Sequence, residues 1–453
     1  MKFTEIKSNS ILSNNFILKP NYHMNYGKKR IESSAYKGLH FDTLSNVTAS
    51  IFTGGIFKRV FVEDKEYGYP YISATHMMNT NPLDVAKLIS KKYTPRLEEM
   101  TLKTNQILVS CAGTIGNVRL ITSDLSHVVG SQDIIRVNSD NTKMPYGYIY
   151  AYLASKTAYN FMQSYIYGSV VPRIEPKTLG NLPVPILPEE KQQQIHQLIV
   201  DSANLRVEAN KLLKEAVELM ESYLPKIEND KIYVVSIKDR LKFNNRLEAN
   251  FDTKQISNFY SKLENQNIEL KEISNLSERV FTPNIFKRVR TDNPENGVPF
   301  LSGSDLLNQY PKFDSYLSRN MKNIDNYILR KDWLAIQDAG TIGYISYINE
   351  FLDGVSATNN LIRIVPNKEN WNPYIYTFFK TNSGQKLLKY LEFGSVQKHI
   401  DNHQISSFKI PIFNEIEKDI KAKTALSNDK LAEACFKENQ AINLIEKEID
   451  AWQ

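Results

Sequence analysis

The chain has 453 residues, 42% of them hydrophobic and 23% charged, with 25 Tyr and 21 Phe. That composition excludes a disordered or fibrous protein and leaves room for two or more domains, each with its own core. The net charge of +6 is uneven along the chain and alternates in sign from block to block.

Residues 1–187 carry 21 Lys+Arg against 13 Asp+Glu, a balance of +8. The opening stretch MKFTEIKSNSILSNNFILKP has no uninterrupted apolar core of signal-peptide length, and nowhere do about 18 apolar residues run together. Neither export nor membrane spanning is expected. The two cysteines, Cys111 and Cys435, form no CxxC and no disulfide framework, so a reducing cytoplasm is the expected location. Within this block IFKRV stands at Ile56–Val60. The stretch QILVSCAGTIGNVRLIT then puts two strand-like runs around a Gly-containing turn, Ala112–Gly116, which predicts a hairpin. SQDIIRV follows at Ser131–Val137, and GSV at Gly168–Val170.

From Glu189 to Leu224 no Gly or Pro interrupts, and residues 188–228 predict a long helix. Ile195, Leu198, Ser202, Leu205, Ala209, Leu212, Ala216, Leu219 and Tyr223 recur three and four apart, the spacing of a coiled-coil seam. Glu189 and Glu190 suit the positive end of its dipole.

Residues 229–413 repeat the first block. IFKRV returns at Ile285–Val289, AGTIG at Ala339–Gly343 and GSV at Gly394–Val396, in the same order. TNNLIRI at Thr358–Ile364 answers SQDIIRV and keeps an Arg, Arg363 for Arg136. This block carries 24 Lys+Arg against 20 Asp+Glu, or +4. Residues 414–453 repeat the helix, with Thr424, Asn428, Leu431, Cys435, Glu438, Ile442, Ile445 and Ile449 on its seam and Trp452 continuing the spacing. Both helical stretches have a balance of −3. The chain is therefore a tandem duplication of a mixed α/β domain followed by a long helix, and its basic blocks suggest a polyanion partner.

This order resembles the specificity subunit of type I restriction-modification systems over nearly the whole chain. The stretch LPVPILPEEKQQQI is similar to that family's junction between a target-recognition domain and its spacer helix. The resemblance implies two recognition domains, each reading half of an asymmetric, interrupted DNA target, held apart by antiparallel helices. Two DNA methyltransferase subunits would dock on this scaffold, and a separate ATP-driven restriction subunit would cut. S-adenosylmethionine, ATP and Mg are then expected in the partner subunits, with no cofactor and no catalytic residue in this chain.

The residues themselves fit a non-catalytic role. The strings nearest to an adenine methyltransferase's Asn/Asp-Pro-Pro-aromatic box are Asn81-Pro82-Leu83 and Asp292-Asn293-Pro294, and neither qualifies. GxxxxGK[ST] does not occur. His399 and His403 have i, i+4 spacing, but Arg173 and Lys177 stand at the equivalent places and no third ligand is apparent. Glu189-Glu190-Lys191 reads as a helix start and Cys435 as seam packing.

The DNA-contact candidates are Lys58, Arg59, Lys287 and Arg288 of the repeated pentapeptide, Thr114 and Thr341 of the Gly-containing turns, and the basic positions after GSV, Arg173 with Lys177 and Lys398 with His399. Cations fix register on phosphates before any base is read. The other reading of each is framework: solvated or acid-paired cations, and plain hairpin turns. A protein-binding scaffold or assembly decoy of the same shape is the alternative function, and basic faces on the recognition domains distinguish the two.

Overall fold

The computed structural model describes residue 8 and residues 20–167, 172–227, 253–340, 342–394 and 397–453. They form two compact units, Met1–Val207 with Ala434–Gln453, and Glu208–Glu433. The long helices run Glu189–Tyr223 and Glu417–Asp450, so each contributes residues to both units. The junction between residues 228 and 229 lies outside the described residues.

In the first unit an antiparallel sheet takes the spatial order Thr48–Thr53, Ile134–Ser139, Ile107–Ser110, Val118–Leu120. The central strands are the apolar runs of the sequence, as strands covered on both faces should be. Ile107, Val109, Ile135 and Val137 face Tyr148, Leu153 and the helix residues Ile195, Ile199, Ile445 and Ile449. Leu108 and Ile134 face Ile72, Met77, Leu125 and Val128. A smaller sheet follows the order Phe61–Val62, Lys87–Ser90, Gly68–Ile72, Val129–Gly130, the last pair parallel. Phe41–Thr43 pairs with Pro183–Pro185, and the Tyr148 hydroxyl donates to the Pro185 carbonyl at 2.7 Å.

The second unit repeats this plan. Its larger sheet runs Ser277–Phe281, Leu361–Pro366, Leu334–Gln337, Ile345–Tyr347, and its smaller sheet Arg290–Thr291, Tyr316–Ser318, Gly297–Leu301, Ser356–Ala357. The first strand is bulged at Thr48/Ser50 and again at Ser277/Arg279. Tyr374 donates to the Pro411 carbonyl at 3.0 Å, as Tyr148 does to Pro185. The predicted mixed α/β duplication is the observed architecture.

Within each unit the helix segments pair antiparallel. Lys191–Glu448 at 3.0 Å and Lys437–Asp201 at 3.3 Å mark this in the first unit. Lys423–Glu215 at 2.8 Å and Lys430–Glu208 at 2.6 Å mark it in the second. The buried line of the first helix is Ile195, Ile199, Ser202, Arg206, Ala209, Ala216 and Met220. Leu198, Leu205, Leu212 and Leu219 are half-buried and Tyr223 is exposed, so half of the expected seam turns one residue further round. The helix faces a recognition domain as well as the other helix, which rotates its deepest line away from a strict heptad. On the second helix Cys435, Glu438, Ile442, Ile445 and Ile449 are buried and Leu431 half-buried. Trp452 lies beyond the helix end and is exposed. No helix among the described residues is long and apolar enough to cross a membrane.

Candidate nucleic-acid interface

The repeated IFKRV is the connector that carries the chain from the larger sheet of each unit to the smaller one. Its phenylalanine is an anchor. Phe57 packs on Tyr71, Ile89, Met100 and Val129, and the Phe286 ring lies 3.7 Å from that of Tyr327. The cations point the other way: Lys58, Arg59, Lys287 and Arg288 are all exposed. None of them forms an ion pair among the described residues, so the nearby acids Glu63, Asp64 and Asp292 do not hold them. Arg288 lies 5.1 Å from the Phe300 ring centroid.

Exposed cation-aromatic contacts extend from this connector, which sequence reasoning missed. In the first unit Lys87 sits over Phe61, Lys91 over Tyr69 and Lys92 over Tyr93. In the second, Arg290 sits over Phe300 beside Arg288. Lys87 and Lys91 meet their rings only through strand pairing, which sets Phe61 and Tyr69 both opposite Ile89.

The Gly-containing turns close the hairpins. Gly113, Gly116, Gly340 and Gly343 have φ of 72°, 85°, 77° and 82°, a left-handed region that favours glycine. Thr114 is exposed, and Thr341 lies outside the described residues. Beside each turn the chain returns as a short bridge, Ala112 opposite Arg173 and Ala339 opposite His399. The turn candidates and the basic positions after GSV therefore meet in space, although more than fifty residues separate them in sequence.

The acid beside this basic position differs between the units. Arg173 lies 3.7 Å from Asp133, while Cys111 occupies the adjoining strand end. The repeat places Asn360 where Asp133 stands and Asp338 where Cys111 stands. The backbone links are kept: Ile174 donates to the Cys111 carbonyl at 3.1 Å and Ile400 to the Asp338 carbonyl at 3.0 Å. Burial raises the Asp338 carboxyl above its ordinary range, and the nearby His399 opposes that shift. The same burial pushes the Cys111 thiol up to about 11. Carboxylate and base are thus neighbours in both units, with the carboxylate supplied from different strands.

Lys177, on the short helix Pro176–Gly180, is exposed and lines a shallow cleft of 490 Å³ with Ser45, Ser50 and Asn181. Lys398 is half-buried. His403 lies on the helix Asn402–Ser406 while His399 precedes it in a bridge, so the two lack the single-helix geometry that a metal pair would use. The described residues hold no group of three metal-ligating side chains.

Arg136 and Arg363, alike in both repeats, are fully buried. Arg136 donates to the carbonyls of Ser131, Ile134, Met100 and Gly130, and Arg363 to those of Leu361, Ala357 and Thr358. Burial lowers both guanidiniums to about 10. They join the two sheets and cannot reach a ligand.

Comparison with known proteins gives one family. The model described as the type I restriction modification DNA specificity domain matches residues 43–219 and again 262–425. The type I restriction enzyme MjaVIII specificity subunit of Methanocaldococcus jannaschii is 22% identical over 406 residues, 85% of each chain. Two solved structures align over most of their length. One is the type I restriction-modification S subunit from M. genitalium, at 16% identity, with 92% of this chain and 93% of that one covered and a TM-score of 0.28. The other is the HsdS subunit from Thermoanaerobacter tengcongensis, at 13% identity, 92% and 96% coverage and a TM-score of 0.29. Scores of that size carry no weight, and the family rests on the sequence match.

Proposed function

The chain belongs to the type I restriction modification DNA specificity family, and on that premise we propose that it reads a DNA target in two unlike halves, one with each unit. The observation behind this is one specificity domain present twice, with its framework kept and its surface changed. Arg136/Arg363 and the left-handed glycines are common to both units, whereas Asp133/Asn360 and Arg173/His399 are not. A reader that meets the same polymer with the same phosphate contacts, but different bases with different side chains, needs that division.

The exposed cations Lys58, Arg59, Lys287 and Arg288 are the phosphate contacts in this reading, joined by Arg173, Lys177, Lys398 and His399 and by the Thr114 and Thr341 turns. The chain supplies address and geometry, while two methyltransferase subunits modify adenines and a restriction subunit cuts, with S-adenosylmethionine, ATP and Mg held there. Each long helix contributes to both units, which supports treating the helix pair as what sets the half-site spacing.

Mapping methylated adenines in cells with and without this chain tests the reading. The expected motif is split and asymmetric; a continuous or palindromic one would overturn it. Charge reversal at Lys58 and Arg59 should weaken cognate and unrelated DNA alike and lower the salt slope by about 2. Four residues inserted after Leu205 and after Leu431 add about 6 Å and about 40° of rotation. The same half-sites should then appear about one base pair further apart.

A further inference from the structure

Among the described residues the barest aliphatic side chain of each unit is the same one. Ile56 is 87% exposed and Ile285 is 89% exposed, and both open the duplicated IFKRV. The residue after each is the phenylalanine that fastens the connector to the smaller sheet. The chain before is held too, by different means. A Cβ at Gly54 would lie 2.0 Å from the sulfur of the buried Met100, so in the first unit the backbone just before the isoleucine presses on the domain. In the second unit Pro283 is buried and the Tyr327 hydroxyl donates to the Asn284 carbonyl at 3.3 Å. Two different anchors thus present an isoleucine outward from a fixed base, two residues before a pair of exposed cations.

We propose that Ile56 and Ile285 are apolar wedges that enter the DNA at each half-site, between phosphates met by Lys58-Arg59 and Lys287-Arg288. This rests on the reading of those cations as phosphate contacts. A single exposed isoleucine needs no explanation, but here the same residue is bare in both copies while its preceding pair has changed from Gly-Gly to Pro-Asn. An isoleucine is stiff about its first torsion, so little side-chain freedom is lost on insertion. Apolar side chains placed between base steps unstack them without reading sequence. That suits a residue common to two units that read unlike bases. The two cations on each connector, which form no ion pair among the described residues, match a polyanion, which favours DNA over the surface of a partner subunit.

The full chain would be titrated with its mapped duplex carrying 2-aminopurine at successive positions, whose fluorescence rises when a base unstacks. The wild-type chain should give a rise at one step in each half-site. Ile56→Ala should abolish the rise in one half-site only and weaken binding about tenfold, with the salt slope unchanged because no charge is lost. Ile285→Ala should do the same in the other half-site, and Ile56→Leu should keep the signal. If Ile56→Ala leaves affinity and fluorescence intact while charge reversal at Lys58 and Arg59 weakens binding, the wedge is wrong and the phosphate reading stands. If Ile56→Ala leaves DNA binding intact but loses co-purifying methyltransferase, the residue serves a protein and the proposal falls. A wild-type chain with no salt-sensitive binding to the duplex would overturn the wedge together with the function it rests on.

Discussion

In the first unit Arg206 lies 2.8 Å from Glu438, with side chains 6% and 2% exposed, and the Tyr150 hydroxyl donates to the same carboxylate at 2.6 Å. In the second unit the repeat puts Ala432 where Arg206 stands and Leu212 where Glu438 stands. Burial alone would lower the Arg206 guanidinium, but Glu438, Cys435 and Tyr150 together outweigh it and the group stays above its ordinary value. The second seam keeps smaller polar groups, as where the Ser427 hydroxyl donates to the Ala209 carbonyl at 2.8 Å. The lesson is which positions a duplicated framework can change. A helix seam closes with apolar packing or with a compensated ion pair at similar net cost. Carbonyls at a sheet junction have no such freedom, and both copies keep the arginine that satisfies them.

The largest effect should come from breaking the buried pair. Glu438→Leu alone strands Arg206 and should destabilise the first unit by about 3–5 kcal/mol. Adding Arg206→Ala, which copies the second unit's pair, should recover most of that loss and leave about 1–3 kcal/mol for the Tyr150 hydroxyl, which has lost its acceptor. Hydrogen exchange resolved by unit is the measurement, because two units need not unfold together. A double variant as unstable as the single one would show that the seam depends on more than this pair.

Arg136→Met and Arg363→Met should each cost about 2–3 kcal/mol through stranded carbonyls, and nearly equally. A large inequality would break the claim of a common framework. A smaller contrast is expected at the turns. A Cβ at Gly116 would lie 3.2 Å from the Tyr159 ring, whereas one at Gly343 has nothing nearer than Leu388 at 3.7 Å. Gly116→Ala should therefore cost about 2 kcal/mol and Gly343→Ala about 1 kcal/mol, the latter from the left-handed backbone alone.

The smallest effect concerns the thiols. Burial pushes Cys111 and Cys435 from 9.0 to about 11, so both should resist alkylation at pH 8 in the native chain and react on unfolding. Because the folded thiols hold their protons more tightly, their contribution to stability is complete below pH 9 and fades between about pH 9 and 11. Rapid labelling of native protein at pH 8 would contradict this placement.

Much of the fold was legible because duplication doubled every signal. The hairpin around AGTIG, the strands in SQDIIRV and TNNLIRI, and both helices can be read from apolar runs and their breaks. The site was legible only in part. Lys58, Arg59, Lys287 and Arg288 stood out because they repeat, but Lys87 and Lys91 did not, since cross-strand neighbours share no spacing in sequence. The seam was half legible: Ile195 and Ile445 are where the heptad puts them, but Ile199 and Arg206 displace Leu198 and Leu205.

By itself the sequence determined the duplication, the order of elements and the two long helices, because periodicity and turn residues act over a few positions and are written locally. Only the tertiary structure decided which face of each helix is deepest, because that depends on two packing partners at once. It also decided that Arg136 and Arg363 are internal joints, because the carbonyls that hold them come from distant turns of the chain. Within IFKRV it turned the phenylalanine in and left the isoleucine and the cations out, because an apolar anchor is retained only where a second sheet offers it a surface.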